Sequence, residues 1–122
     1  MAKTENTGVR RIVRAAGFSW KGFIAAFKNE AAFRQELALT LLIVPLAFWL
    51  TEDRLERALM VGVWLLVPLM EMINSAIEAV VDRIGDEYHP LAGAAKDIGS
   101  AAVVFAFMIA VVVWAILLFP PI

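Results

Sequence analysis

Cysteine is absent from this 122-residue chain, and histidine occurs once. Disulfides, thiolate metal sites and cysteine nucleophiles are thereby excluded, and a zinc centre of nitrogen and sulfur ligands has too few donors. No GxxxxGK[ST] and no GxGxxG occurs, so neither a Walker-type phosphate loop nor a kinase glycine loop is available. A serine nucleophile lacks its usual setting, because no serine stands in GxSxG and His89 falls in a loop-like stretch. Charge is scarce as well: 19% of residues are charged and the net charge is −1, which gives no global attraction to nucleic acid. Internal repeats are missing. No short apolar segment with a small-residue cleavage site opens the chain, so no cleavable signal peptide is expected.

What is plentiful is apolar surface. Hydrophobic residues make up 61% of the chain, against roughly 45–50% in an ordinary soluble domain. The balance points to an integral membrane protein, read as a single domain over residues 1–122. Residues 1–8 read as a polar tail. From Val9 to Lys28, Val9, Ile12, Val13, Ala16, Trp20, Phe23, Ile24 and Phe27 share one helical face, and Arg10, Arg14, Lys21 and Lys28 line another. An amphipathic helix of that kind suits the membrane interface; the alternative is a helix packed on a soluble partner. Leu37–Leu50 is uncharged, with Pro45 inside it. Extended back over 31–36 it reaches the about 20 residues that a span needs, with Arg34, Gln35 and Glu36 near the membrane surface.

Thr51–Arg57 reads as a charged turn, and the uncharged run Ala58–Met70 continues as a helix to Asp82 with Pro68 inside. Arg83–Asp97 reads as a polar loop with a helix starting at its end. Ile98–Phe119 is the longest uncharged run, and Pro120 and Pro121 stop it. The expected fold is therefore all-α: an N-terminal amphipathic interfacial helix over 9–28 and transmembrane helices over 31–50, 58–82 and 98–119. Seven of the eleven Lys and Arg residues precede Leu37, and none follows the third span. By the positive-inside rule the N-terminus and the 83–97 loop are cytoplasmic, while the 51–57 turn and the C-terminus lie outside.

One stretch breaks the apolar pattern. At 100° per residue Glu71, Asn74, Ser75, Glu78 and Asp82 fall on a single stripe of the second span. Carboxylates inside a span cost roughly 2.5–3.5 kcal/mol each on insertion scales, which asks for a reason. Oxygen ligands suit Mg²⁺, which takes one or two carboxylates together with nucleotide phosphates. Glu30 and Glu78 could form such a pair. Glu71, about 10 Å further along the helix axis, could act as general base towards an alcohol. Lys96 could balance phosphate charge, and phosphoryl transfer needs little beyond positioning and neutralisation.

The plainer reading is that Glu71, Asn74 and Ser75 hold neighbouring helices together by hydrogen bonds. On the same view Asp82, Asp86 and Glu87 are solvated loop charges, His89 is a surface residue, and Ser100, beside Gly99, Ala101 and Ala102, marks close helix packing. A small proton-coupled transporter would also use a buried membrane glutamate, and a structural or sensor subunit is a third class.

The segment EMINSAIEAVVDRIGDEYHPLAGAAKDIGSAAV resembles the signature of the small prokaryotic integral-membrane diacylglycerol kinases, and AAGFSWKG and NEAAFRQE resemble the same family in the same order. The similarity spans essentially the whole chain. It implies an enzyme, a diacylglycerol kinase that uses ATP and Mg²⁺ to make phosphatidic acid at the cytoplasmic face of the bacterial inner membrane. It also implies a homotrimer whose active sites are shared between neighbouring subunits. By the same resemblance Glu71 is the catalytic base, and Glu30 and Glu78 are metal ligands that also meet the nucleotide. Arg11, Phe18, Glu87, Tyr88, His89, Lys96 and Asp97 match nucleotide-binding positions. Arg11, Trp20, Gln35, Glu71, Asn74 and Ser100 match positions that meet the lipid substrate or support the base. Phe18 stands where the best-known members carry Tyr, so a hydroxyl contact is lost there. Pro90 replaces an acidic residue, as in the undecaprenol kinases of the same fold, whereas DRIG and DIGSAAV favour the diacylglycerol branch.

Overall fold

A few punctuating residues decide where the helices begin and end. The computed structural model describes residues 7–119 and 121. Most of the tail expected over 1–8, and Pro120 of the expected proline stop, lie outside the described residues. Four α-helices and no strand occur among the described residues: α1 Gly8–Asn29, α2 Ala31–Leu50, α3 Arg54–Ile84 and α4 Pro90–Leu118. The last three are long and apolar enough to cross a membrane. The chain divides into two compact units, residues 1–31 and 32–122.

The first unit is α1. Gly8 opens it at φ 57°, and the basic Lys28 stands in its last turn, where a cation complements the helix dipole. Gly17 and Gly22 sit within it without ending it. Glu30 does end it: its backbone is extended (φ −122°, ψ 107°), while its N–H still donates to the Ala26 carbonyl at 3.0 Å.

In the second unit α3 and α4 form a close antiparallel hairpin. In a bilayer the lipid is as apolar as the side chains, so packing and hydrogen bonds, rather than release of water, hold helices together. Trp64, Val67 and Ala106 make the buried cluster, flanked by Ile43, Leu66, Met70 and Phe107. The rings of Trp64 and Phe107 meet edge to face, with centroids 5.8 Å apart and planes at 67°, a geometry worth about 0.5–1.5 kcal/mol. Each buried indole N–H finds an acceptor. Trp114 Nε1 donates to the Met60 carbonyl at 3.0 Å, and Trp64 Nε1 donates to Thr40 Oγ1 at 2.8 Å. Thr40 passes its own proton back to the Glu36 carbonyl at 2.7 Å, so α2 is tied to the hairpin by a short polar chain.

The connections explain why two helices start earlier than the uncharged runs do. The charged stretch 51–57 is mostly helix cap: Asp53 Oδ1 accepts from the Glu56 N–H at 3.0 Å, and Arg57 donates to the carbonyls of Thr51 and Phe48 at 2.7 and 2.8 Å. α3 therefore begins at Arg54. The stretch 83–97, expected as a polar loop, is a loop only over 85–89. Pro90 stands at the first position of α4, where its missing N–H costs nothing, and His89 Nδ1 caps the helix by accepting from the Leu91 N–H at 3.1 Å. Outward-facing apolar residues such as Leu41, Trp49, Val111 and Ile116 are more than 60% exposed, a surface suited to lipid rather than water. The helices differ in length, at 20, 31 and 29 residues for α2, α3 and α4.

Candidate active site

Three polar side chains are buried within the spans: Glu71 and Asn74 on α3, 8% and 7% exposed, and Glu36 on α2, 6% exposed. They form one group. Asn74 Nδ2 donates to Glu71 Oε2 at 3.4 Å, a long bond, and Ser75 Oγ donates to the Glu71 carbonyl at 2.9 Å. The carboxyl group of Glu36 lies within hydrogen-bond reach of that of Glu71. Such a contact is a bond only when a proton lies between the two groups. Glu36 Oε1 and Asn74 Oδ1 are buried without a hydrogen-bond partner, a state that native interiors seldom leave unexplained. The cluster is thus rich in acceptors and poor in donors, as a seat for an incoming hydroxyl would be.

Glu36 is the member of this cluster that sequence reasoning missed. It reads as one of three polar residues near the membrane surface, yet Arg34 and Gln35 are exposed whereas Glu36 is buried against the protein. The signal was its phase: Phe33, Glu36, Thr40 and Ala47 recur on one stripe of α2, and Phe33 and Ala47 are buried there with Glu36.

Towards the C-terminal end of α3 a second group gathers. Lys96 Nζ on α4 pairs with Asp82 Oδ1 at 2.7 Å, and Glu78, half-buried on the same stripe of α3, adds its charge to the attraction. The α3–α4 loop closes a groove of about 370 Å³ lined by Ile84, Glu87, His89, Leu91, Ala92 and Ala95 among others. Glu87 and His89 thus share one surface, although His89 also serves as a helix cap. Tyr88, Asp97, Ser100 and Gln35 are exposed. Arg11, Phe18 and Trp20 are exposed on α1, and Glu30 is its C-terminal cap. These four belong to the first unit.

Among the described residues, no three His, Cys, Asp or Glu side chains of the single chain converge on a metal position. Mg²⁺ in phosphoryl-transfer sites usually keeps one or two carboxylates and takes its other ligands from phosphates and water. The hard oxygen donors of Glu78, beside a lysine suited to phosphate, match that modest requirement.

Fold and site together define a small helical membrane protein with a carboxyl cluster buried between its spans and a charged rim at the end of the hairpin. The family model described as prokaryotic diacylglycerol kinase matches residues 17–118. The diacylglycerol kinase of Escherichia coli K12 is 58% identical over 112 residues, covering 92% of each chain. That of Pseudomonas aeruginosa PAO1 is 52% identical over 112 residues, covering 92% of this chain and 91% of its own. That of Haemophilus influenzae Rd is 46% identical over 115 residues, covering 94% and 98%. The chain belongs to the prokaryotic diacylglycerol kinase family. It is accordingly a transmembrane kinase.

Proposed function

We propose that the protein transfers the γ-phosphoryl group of ATP to the free hydroxyl of diacylglycerol, giving phosphatidic acid and ADP. The reading places the reaction at the cytoplasmic face of the bacterial inner membrane, with the N-terminus on that side and α1 lying in the interface. The observation that carries it is the burial of Glu71 between Asn74 and Glu36, in a chain whose relatives are named diacylglycerol kinases. A carboxylate shielded from bulk water is placed to accept the hydroxyl proton. The hydroxyl oxygen then forms its bond to the γ-phosphorus as the bond to the β–γ bridging oxygen breaks. Asn74 and Glu36 hold the base in orientation. Lys96, drawn to the rim by Asp82, is placed to neutralise phosphate charge.

Glu30 and Glu78 would supply carboxylates to Mg²⁺, which lends charge neutralisation to the phosphates when bound. Arg11, Phe18, Glu87, Tyr88, His89 and Asp97 complete the nucleotide side of the reading, and Trp20, Gln35 and Ser100 the lipid side. Sites shared within a homotrimer accord with the wide apolar surface that one chain leaves exposed. Pro90 does not require the undecaprenol reading, because its place at the start of α4 accounts for it.

The test offers purified protein each lipid alcohol with labelled ATP, alongside the Glu71→Gln variant. Labelled phosphatidic acid from the wild type and almost none from the variant is expected. Label on undecaprenol alone, flux without ATP use in sealed vesicles, or near-normal turnover by the variant would each overturn the corresponding part.

A further inference from the structure

Helix energetics favour alanine over glycine inside a helix, so a glycine held there asks what its missing side chain makes room for. At Gly17, Gly22, Gly62 and Gly93 an added Cβ would meet nothing within 4 Å. Gly99 is different. It is buried in α4, and a Cβ there would collide with Asn74 Oδ1 and lie 3.3 Å from Asn74 Cγ and 3.8 Å from Asn74 Cα. The side chain it would strike is the one whose amide N–H reaches Glu71 Oε2 at 3.4 Å. Asn74 Oδ1, the atom turned to Gly99, has no hydrogen-bond partner. A cost of that kind persists where the opposite end of the amide has a task.

We propose that Gly99 is a positioning residue for phosphoryl transfer. Its bare Cα lets the Asn74 carboxamide lie against α4 with its N–H turned towards Glu71, which fixes the carboxylate for the substrate hydroxyl. The inference rests on Glu71 acting as the base. A methyl group at position 99 forces Asn74 to rotate about its side-chain bonds, and the bond to Glu71 breaks. The backbone of α4 has no reason to move, because the helix accepts alanine elsewhere.

A double-mutant cycle tests this in the full-length protein: Gly99→Ala, Asn74→Ala and the pair together, with Gly62→Ala and Gly93→Ala as matched helix controls. Gly99→Ala is expected to lower kcat about tenfold, the scale of one hydrogen bond to a charged group, with the KM for ATP little changed. In the Asn74→Ala background the same methyl group occupies vacated space and changes kcat by less than about twofold, because the two effects share one cause. Equal losses in both backgrounds, or no loss from Gly99→Ala alone, overturn the proposal. If Gly99→Ala does not assemble, the pair is expected to recover a folded protein; continued failure overturns it too.

An infrared readout separates this inference from the reading beneath it. The carboxyl band that disappears in Glu71→Gln is expected to shift in Gly99→Ala and stay in place in Gly93→Ala. Full turnover by Glu71→Gln would remove Glu71 as base while leaving that shift to judge Gly99. A band unmoved by Gly99→Ala would sink the positioning role alone.

Discussion

Replacing Glu36 by leucine removes the carboxyl that faces Glu71 while keeping a side chain of similar reach in the space. Glu36 is 6% exposed and its carboxyl group neighbours that of Glu71, the proposed base. The Glu71 carboxylate also accepts a long hydrogen bond from Asn74, at 3.4 Å. Loss of the Glu36 contact therefore leaves the base weakly held. A hydrogen bond to a charged group is worth about 1.5–3 kcal/mol, and at about 1.4 kcal/mol per tenfold in rate this predicts a roughly 10- to 150-fold fall in kcat. Folding is expected to weaken as well, by about 1–3 kcal/mol, because leucine leaves the Glu71 carboxyl buried with one polar neighbour fewer. The assay is steady-state phosphorylation in mixed micelles with both substrates saturating, together with thermal unfolding in the same detergent. Glu36→Gln keeps a hydrogen-bonding head of the same length and is expected to recover most of the turnover. A Glu36→Leu enzyme within about twofold of wild type, or a glutamine variant as impaired as the leucine one, would refute the reasoning.

Trp64→Phe removes the indole N–H that reaches Thr40 at 2.8 Å but keeps the ring against Phe107; a loss of about 0.6–1.5 kcal/mol in detergent unfolding is expected, and Trp64→Ala should lose about 3–5 kcal/mol. Asp82→Asn releases Lys96 from an ion pair whose side chains are 42% and 66% exposed, so stability should change by less than about 1 kcal/mol. The KM for ATP should instead shift with ionic strength in a way that differs from wild type, and identical salt profiles would remove Asp82 from any role in placing Lys96. Because the chain has no cysteine, single-cysteine variants report topology directly. Glu52→Cys should react with a membrane-impermeant thiol reagent on intact cells, and Asp86→Cys only after permeabilisation.

Periodicity and hydropathy were enough to find the three spans, because a bilayer demands long uncharged helices and little else produces them. Ends were harder. Thr51–Arg57 and Arg83–Asp97 look like polar linkers to any hydropathy count, yet Asp53 and His89 each start a helix by capping it, and Pro90 helps. The stripe from Glu71 to Asp82 was legible because its polar residues stand out among apolar ones. Glu36 was hidden among the polar neighbours Arg34 and Gln35, where only its phase with Phe33 and Ala47 marks it as inward-facing. Gly99 was hidden differently. Its importance comes from a helix contact 25 residues away in sequence with Asn74, and no local pattern encodes such a contact.

The unequal lengths of the spanning helices carry a consequence for the membrane itself. At 1.5 Å per residue α2 is about 30 Å long, matching a hydrocarbon core of about 30 Å, whereas α3 and α4 run to roughly 45 Å. A three-residue connection joins the far ends of α2 and α3. The surplus turns must therefore emerge at the opposite rim, carrying Asp82, Glu87 and Lys96 into the headgroup layer and the water beyond. Bilayer thickness is thus expected to bear on the reaction, through hydrophobic mismatch. A thicker membrane would draw that charged collar towards hydrocarbon, and a thinner one would expose the shielded carboxyls.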